Sequence, residues 1–200
     1  GNFSRAITPN GTPSPHLQWD PTEQEIFDAI TDKRLDEEPM ATIPEGMTAR
    51  SFAAQVARER LRSAVPDVDT YCDAEINDSM YFTLFPNFHP WGAFNRINYR
   101  FRPVGTKVDE CLMECIYTED FEGDERPAPA EYIELGIEQE WTELIPVIGN
   151  LARVFHQDSF NLPKVQKGLE TFRADGLTLT KYQEVKIRHW HAMAERFIAN

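Results

Sequence analysis

Thirty-three carboxylates are spread through this sequence of 200 residues, and one of them stands out by its setting. Asp158 lies in the run Val154-Phe155-His156-Gln157-Asp158-Ser159-Phe160-Asn161-Leu162-Pro163-Lys164-Val165-Gln166-Lys167-Gly168-Leu169, which opens apolar and continues with a helical pattern. Asp158 and Leu162 are four apart, as are Leu162 and Gln166, with Val165 and Leu169 beside them. One helical face therefore carries the acid inward with the aliphatics. A carboxylate on a core-facing stripe is costly unless a metal, a cation or a shell of hydrogen-bond donors meets it. Two roles fit the pattern. Asp158 is either a helix N-cap that satisfies the free amides of a first turn, or a ligand waiting for a cation.

The imidazoles are His16, His89, His156, His189 and His191, and they include no His-x(4–5)-His pair; nor is there a Cys-x-His pair. His156-x-Asp158 with a later histidine has the form of the 2-oxoglutarate oxygenase triad. Those enzymes use a strand-rich jelly roll, whereas this pair stands at a helix entrance. His189 and His191 are two apart, hence on opposed sides of another helix. His156 reads as a packing residue or as the partner of a ligand. His89, in Asn87-Phe88-His89-Pro90-Trp91, reads as a loop histidine, with a pocket-lining role as the alternative. Cys111 and Cys115 share a strand face about 13 Å apart at ordinary strand rise, too far for one disulfide or one metal ion. Both are expected to be core thiols.

The stretch around Asp158 resembles the carboxylate end of the iron site in the large subunit of Rieske non-haem iron oxygenases, the ring-hydroxylating family. There a phrase of an aromatic, a polar pair and Asp, followed by a Gln-Lys/Arg-Gly-Leu turn, supplies the acid of a two-histidine-one-carboxylate triad. Asp158 stands eight residues before Gln166, the family spacing. Ser14-Pro15-His16-Leu17, Leu84-Phe85-Pro86-Asn87, Arg126-Pro127 and Tyr182-Gln183-Glu184 through His189-Trp190-His191 also follow the family order, so the resemblance spans most of the chain.

The resemblance implies a helix-grip (START/Bet v1-like) domain, an antiparallel sheet wrapped around a long C-terminal helix with an apolar cavity, incomplete at its N-terminal side. It implies a mononuclear Fe(II) site that leaves positions open for dioxygen and substrate. Asp158 is the only ligand carried over. The two histidine ligands and the domain holding a [2Fe–2S] centre are expected upstream of residue 1, so residues 1–200 are read as the distal part of one catalytic domain. The opening Gly1-Asn2-Phe3, without Met, is read in the same sense. The implied partners are a small apolar, aromatic substrate, the Rieske domain of the same subunit, a ferredoxin or reductase, and further copies in a trimer. Carried over from the family, the strand entering Phe85-Pro86-Asn87 lines the cavity and nominates Phe82 and Leu84. Phe155, one turn before Asp158, and His89 complete the expected substrate wall. A metal-free helix-grip module that holds a hydrophobic ligand is the alternative.

Length and composition bound these readings. Two hundred residues suit one domain with a sizeable core. A net charge of -13 argues against nucleic acid and anionic membrane as partners. No apolar run of transmembrane length and no signal peptide is visible, and three cysteines suggest no disulfide framework. The expected compartment is a reducing cytoplasm.

The elements that would position the site are legible in outline. Asp20-Pro21-Thr22-Glu23 predicts a capped helix start, running to about Arg34 with Ile26, Phe27 and Ile30 facing in. Thr48 starts a second helix to roughly Ser63, burying Phe52, Val56 and Leu61. Strands are expected at Ser79–Phe85, Phe94–Arg102 and Glu110–Thr118. The second alternates Ile97, Tyr99 and Phe101 against Arg96, Asn98, Arg100 and Arg102; those arginines are read as a solvated sheet face. Pro129 to Asn150 reads as helix because of its apolar content. The last helix is expected from a capping box at Thr180 and Gln183 to about Ile198, burying Val185, Trp190, Met193 and Phe197. Helices on an antiparallel sheet make the fold class α+β.

Overall fold

Ile97, Tyr99 and Phe101 alternate with Asn98, Arg100 and Arg102, and that period of two builds the strand at the centre of the packing. The computed structural model describes residues 1–31, 33, 36–92, 94–118, 124–145, 148–149 and 151–199. In chain order the elements are β1 (Phe3–Thr8), α1 (Glu23–Ile30), α2 (Ala49–Leu61), α3 (Asp73–Asn77), β2 (Ser79–Leu84), β3 (Phe88–Pro90), β4 (Ile97–Pro103), β5 (Cys111–Tyr117), α4 (Trp141–Leu144), α5 (Leu151–Thr171) and α6 (Val185–Ile198). Among the described residues the strands form one open five-stranded antiparallel sheet in the order β1-β2-β3-β4-β5. With its helices, including the 21-residue α5, the architecture is α+β.

The strand register sorts the side chains onto two faces. Tyr99 stands opposite His89 on one side and Cys115 on the other, and Phe101 opposite Met113. Leu84 pairs with Phe88, and Phe88 with Arg100. Successive strand residues point to opposite sides. Tyr81, Thr83, His89, Trp91, Ile97, Tyr99, Phe101, Met113 and Cys115 therefore share an inner face, while Met80, Phe82, Leu84, Phe88, Arg100, Arg102 and Glu114 share the outer one. The arginines of β4 are not simply solvated. Arg100 Nε and Arg102 Nη2 donate to the two oxygens of Glu114 at 2.6 and 2.7 Å, a cross-strand clamp on the outer face.

Two apolar clusters hold the layers together. On the inner face of β4 and β5, Ile97 packs with Trp141, Ile148, Ala152 and Phe155, so the first turns of α5 lie against the sheet. Away from it, Ala54, Val68 and Ile76 join α2 to α3. An ion pair ties that helical layer to the sheet. Arg50 of α2 reaches both oxygens of the buried Asp78 at 2.7 and 3.0 Å and also donates to the Asn10 carbonyl at 2.6 Å. Gly11 has φ +72°, and a Cβ there would come within 2.8 Å of Arg50 Cα. Glycine is what lets the chain after β1 pass this helix.

Several sequence expectations need correction. The cap of α1 is Thr22, not Asp20: the Thr22 side chain accepts from Glu25 N and the Glu25 side chain accepts from Thr22 N. Two candidate capping residues lie two positions apart, and the reciprocal pair with Glu25 selects the later one. The helix stops at Ile30, and Arg34 lies outside the described residues. In α2 the fully buried positions are Ala49 and Ala54, with Phe52 and Val56 half-buried, because small residues allow the closest approach. Residues 129–140 are not helical; only Trp141–Leu144 forms a short turn of helix, and Tyr132, Ile133 and Ile137 are exposed. Pro146 and Asn150 lie outside the described residues. β1 was not expected. It pairs along β2 from Phe3↔Leu84 to Thr8↔Ser79, a contact whose partner lies more than seventy residues away in sequence.

The C-terminal helices are also re-bounded. Thr180 bonds reciprocally with Glu184, not with Gln183, and α6 begins one residue after that, at Val185. Met193 is its buried anchor, while Val185 and Phe197 stay half-exposed and Trp190 sits at the boundary. Of the thiols, Cys115 is on the packed part of the inner face, where burial pushes it up to about 11. Cys111 is exposed at the strand's start, so only one of the pair is a core thiol. No helix among the described residues is long and apolar enough to cross a membrane.

Candidate functional site

The inner face of the sheet is lined by aromatic and polar side chains that touch in sequence across the strands. Tyr81 meets Trp91 edge-on at 4.5 Å, and Trp91 meets Tyr99 at 6.2 Å. His89 lies nearly parallel to Tyr99 at 5.6 Å and edge-on to Phe101 at 5.5 Å. Thr83 Oγ1 is 3.3 Å from His89 Nδ1. β4 supplies Tyr99 and Phe101 by alternation, and the short β3 brings His89 opposite Tyr99. Phe155 of α5 closes the row, edge-on to Tyr99 at 6.1 Å and beside Trp141 at 5.5 Å.

Between this face and α6 lies a cleft of about 460 Å³, lined by Thr83, His89, Gln183, Lys186, Ile187 and Trp190. Trp190 is held in place by its indole N–H, which donates to the Pro86 carbonyl at 2.6 Å, and by Phe85 at 5.8 Å. A smaller cleft of about 170 Å³ between α1 and α2 has Arg60 as its one ionisable lining residue. The chemistry-bearing groups are at the larger one.

Asp158 occupies the eighth position of α5, so it caps nothing. The N-cap alternative fails because the helix already begins at Leu151. Before Asp158, α5 buries Ala152 and Phe155. After it, Phe160 is 60 % exposed and Val165 56 %, with Leu162 and Leu169 also open to solvent. The expected inward stripe therefore ends where the helix leaves the sheet, and Asp158 marks that point. The residue itself is exposed. Its carboxyl nevertheless loses enough solvation to lie above the ordinary 3.8. It makes no hydrogen bond or ion pair among the described residues.

Tyr99 registers that carboxylate. Its phenol is raised above the ordinary value, first by burial, opposed by the Trp91 indole, and further by Tyr81, Asp158 and Cys115. The Trp91 N–H is buried and finds no hydrogen-bond partner among the described residues. It is near enough to act on the phenol, but its geometry falls short of a hydrogen bond. His89 is lowered by burial and by the Lys186 cation, so it is neutral at pH 7. Lys186 is itself lowered by burial, and its ammonium stands 5.8 Å above the Tyr81 ring.

The structure brings together only some of the residues nominated from the sequence. His89 and Phe155 both contact Tyr99 on the inner face, the one lining the cleft and the other the packed core beside it. Phe82 and Leu84 point to the outer face, with Phe82 packed over Gly92 and Leu84 exposed. Alternation explains the split: Thr83, between them, is the residue of β2 that faces the cleft. His156 is not paired with Asp158. Its Nε2 lies 3.0 Å from Glu140 Oε1 ahead of α4, and its Nδ1 is buried without a hydrogen-bond partner among the described residues. His16 and His191 are exposed. No three of the described His, Cys, Asp and Glu side chains gather as a metal-holding group.

Sequence reasoning missed Tyr99, Trp91, Thr83 and Lys186. Tyr99 carried a signal, a hydroxyl on the apolar side of a strictly alternating strand. Lys186 carried another, since it shares the i, i+4, i+7 stripe of Trp190 and the buried Met193. Comparison of the chain with protein-family models, with curated proteins and with solved structures finds no match.

Proposed function

We propose that this chain is the carboxylate-bearing part of the catalytic domain of a Rieske-type ring-hydroxylating oxygenase, with a helix-grip fold in which the sheet and the C-terminal helix α6 enclose the substrate site. The observation that carries the reading is the place of Asp158: a carboxylate without a hydrogen bond or ion pair among the described residues, set on a helix where it leaves an aromatic sheet face. Such a group fits one protein position of a facial iron site, since a hard anionic oxygen gains most from a cation when water solvates it least. The other two protein ligands are proposed to be histidines preceding residue 1, and the [2Fe–2S] centre to lie in a domain further upstream, served by a ferredoxin or reductase. Assembly into trimers belongs to the same proposal.

When bound, ferrous iron supplies the activation of dioxygen. The chain's own residues hold and orient. Asp158 would hold the metal. Neutral His89, stacked on Tyr99 and hydrogen-bonded to Thr83, presents an imidazole without charge to the ligand. Trp190, Ile187 and the His89 ring wall the cleft against water for a flat apolar substrate. The test is iron content and aromatic-dependent oxygen uptake of the protein expressed with the segment that precedes residue 1 in its reading frame. Stoichiometric iron that is lost in D158A, with oxygen uptake lost alongside, is the expected result. Iron retained by D158A removes Asp158 as a ligand, and aromatic binding with no iron in the parent replaces the oxygenase by a metal-free ligand-binding module.

A further inference from the structure

We propose that the cleft between β2–β3 and α6 is built for an aromatic carboxylate, with Lys186 as the group that takes the carboxylate. Lys186 is half-buried on the face of α6 turned to the sheet, in line with Trp190 and Met193. Its ammonium makes no ion pair and no hydrogen bond among the described residues. The Tyr81 ring, 5.8 Å away, is at the outer reach of a cation–π contact. An ammonium removed from water without an anion is costly, and burial already lowers its pKa.

Among the described residues that line the cleft around it none is a carboxylate, although the chain holds 33 acids against 20 basic residues. Thr83 and Gln183 add neutral hydrogen-bonding groups beside the cation, and Trp190, Ile187 and His89 supply flat apolar walls. That composition suits one negative charge on a planar apolar body. A phosphate, with more charge and no apolar part, would leave the walls unused.

The position of the second charge orients the ligand. Asp158 is on α5 near Tyr99, whereas Lys186 is on α6 in the cleft lining with His89, and Asp158 is not among the residues that line it. The stacked His89–Tyr99 pair links the two. A carboxylate at Lys186 thus keeps clear of Asp158 while the ring extends along the aromatic face towards it. The inference rests on the oxygenase reading for what becomes of the ring, and not for the binding itself.

Benzoate and benzamide, alike in shape and different in charge, test it by titration calorimetry on the metal-free chain. Benzoate is expected to bind about tenfold more tightly. K186M should erase that preference and leave benzamide binding as it was, and K186R should keep it. If K186M does not fold, the pH profile of the parent serves: benzoate affinity should fall as pH rises through the titration of Lys186, with benzamide unchanged. Equal affinity for the two compounds, no binding of either, a K186M protein that still prefers benzoate, or a flat pH profile overturns the proposal. The oxygenase reading is judged separately by iron content. Iron held through Asp158 without a benzoate preference removes the Lys186 subsite alone, whereas a benzoate preference with no iron in the longer protein that includes the segment preceding residue 1 removes the oxygenase alone.

Discussion

At the scale of single residues, Asp158 is a group whose cost is visible and whose compensation is not supplied by its neighbours. Partial desolvation raises its folded pKa, so the unfolded chain holds the anion better than the folded one. The penalty is fully present above the folded pKa and disappears below the unfolded value near 3.8. Asp158→Asn, close in shape and in helix propensity, is therefore expected to raise the melting temperature at pH 7. The gain should be no more than about 1 kcal/mol, because the side chain keeps solvent contact that screens its charge, and it should fade as pH falls through the folded pKa and be gone below 3.8. Thermal melts of the two proteins from pH 3 to pH 8 check this; a destabilised Asn variant at neutral pH would mean that the carboxylate has a favourable partner. Glu114 shows the opposite sign. Hydrogen bonds from Arg102 and Arg100 hold its carboxyl down to about 2, against an ordinary 4.5. Its contribution is present above pH 4.5 and is lost as pH falls towards 2. E114Q should cost about 1 kcal/mol at pH 7, discounted because the guanidiniums are 42 % and 43 % exposed. The difference from the parent should close in acid.

Among elements, β2, β4 and β5 were legible, while β1, the short β3 that carries the supposed loop residue His89, and the connections between layers were not. β4 and β5 follow from alternation that is written locally, and the inner and outer faces follow from it. Residues 129–140 defeated the reading because apolar content without a partner-facing period says that a segment is buried somewhere, not that it is helical. Leu135 and Trp141 do reach the core, but from extended chain and a single helical turn. Phe82 and Leu84 were misplaced by one residue of strand period, since either face of a doubly covered strand can look like the pocket side. The place of Asp158 at mid-helix was hidden by Pro146 and Gly149-Asn150, which look like a helix break just ahead of it. The bond between the helical layer and the sheet, Arg50 with Asp78, left no local trace at all. Removing one partner of that pair with D78N should cost roughly 2–3 kcal/mol, below the 3–5 of a fully buried pair because Arg50 keeps some solvent. Urea unfolding at unchanged slope measures it, and a midpoint equal to the parent's would mean the layers are joined by packing alone.

For the whole molecule, the arrangement is lopsided in a way that bears on metal binding. α5 is buried up to Phe155 and open from Phe160 onward, with Leu162, Val165 and Leu169 in solvent, and Asp158 stands at the border. The candidate donors on the described chain are scattered: His156 is engaged by Glu140, His89 is bonded to Thr83 at 3.3 Å, and no three His, Cys, Asp or Glu side chains converge. A facial iron site needs two imidazoles and a carboxylate on one side of the ion. The 200-residue chain offers Asp158 alone in a suitable state, so its own affinity for Fe(II) should be weak. After anaerobic loading and desalting, metal analysis is expected to return well under one iron per chain, in parent and D158N alike. Near-stoichiometric iron in the parent would demand that His156 leave Glu140 and that His89 or His189 move to Asp158. Loss of that iron in D158N would then mark a complete site in this chain. Weak binding here together with tight binding in a longer protein that carries the proposed upstream histidines would instead show that Asp158 is one third of a ligand set, held ready by α5 for histidines that another part of the polypeptide brings.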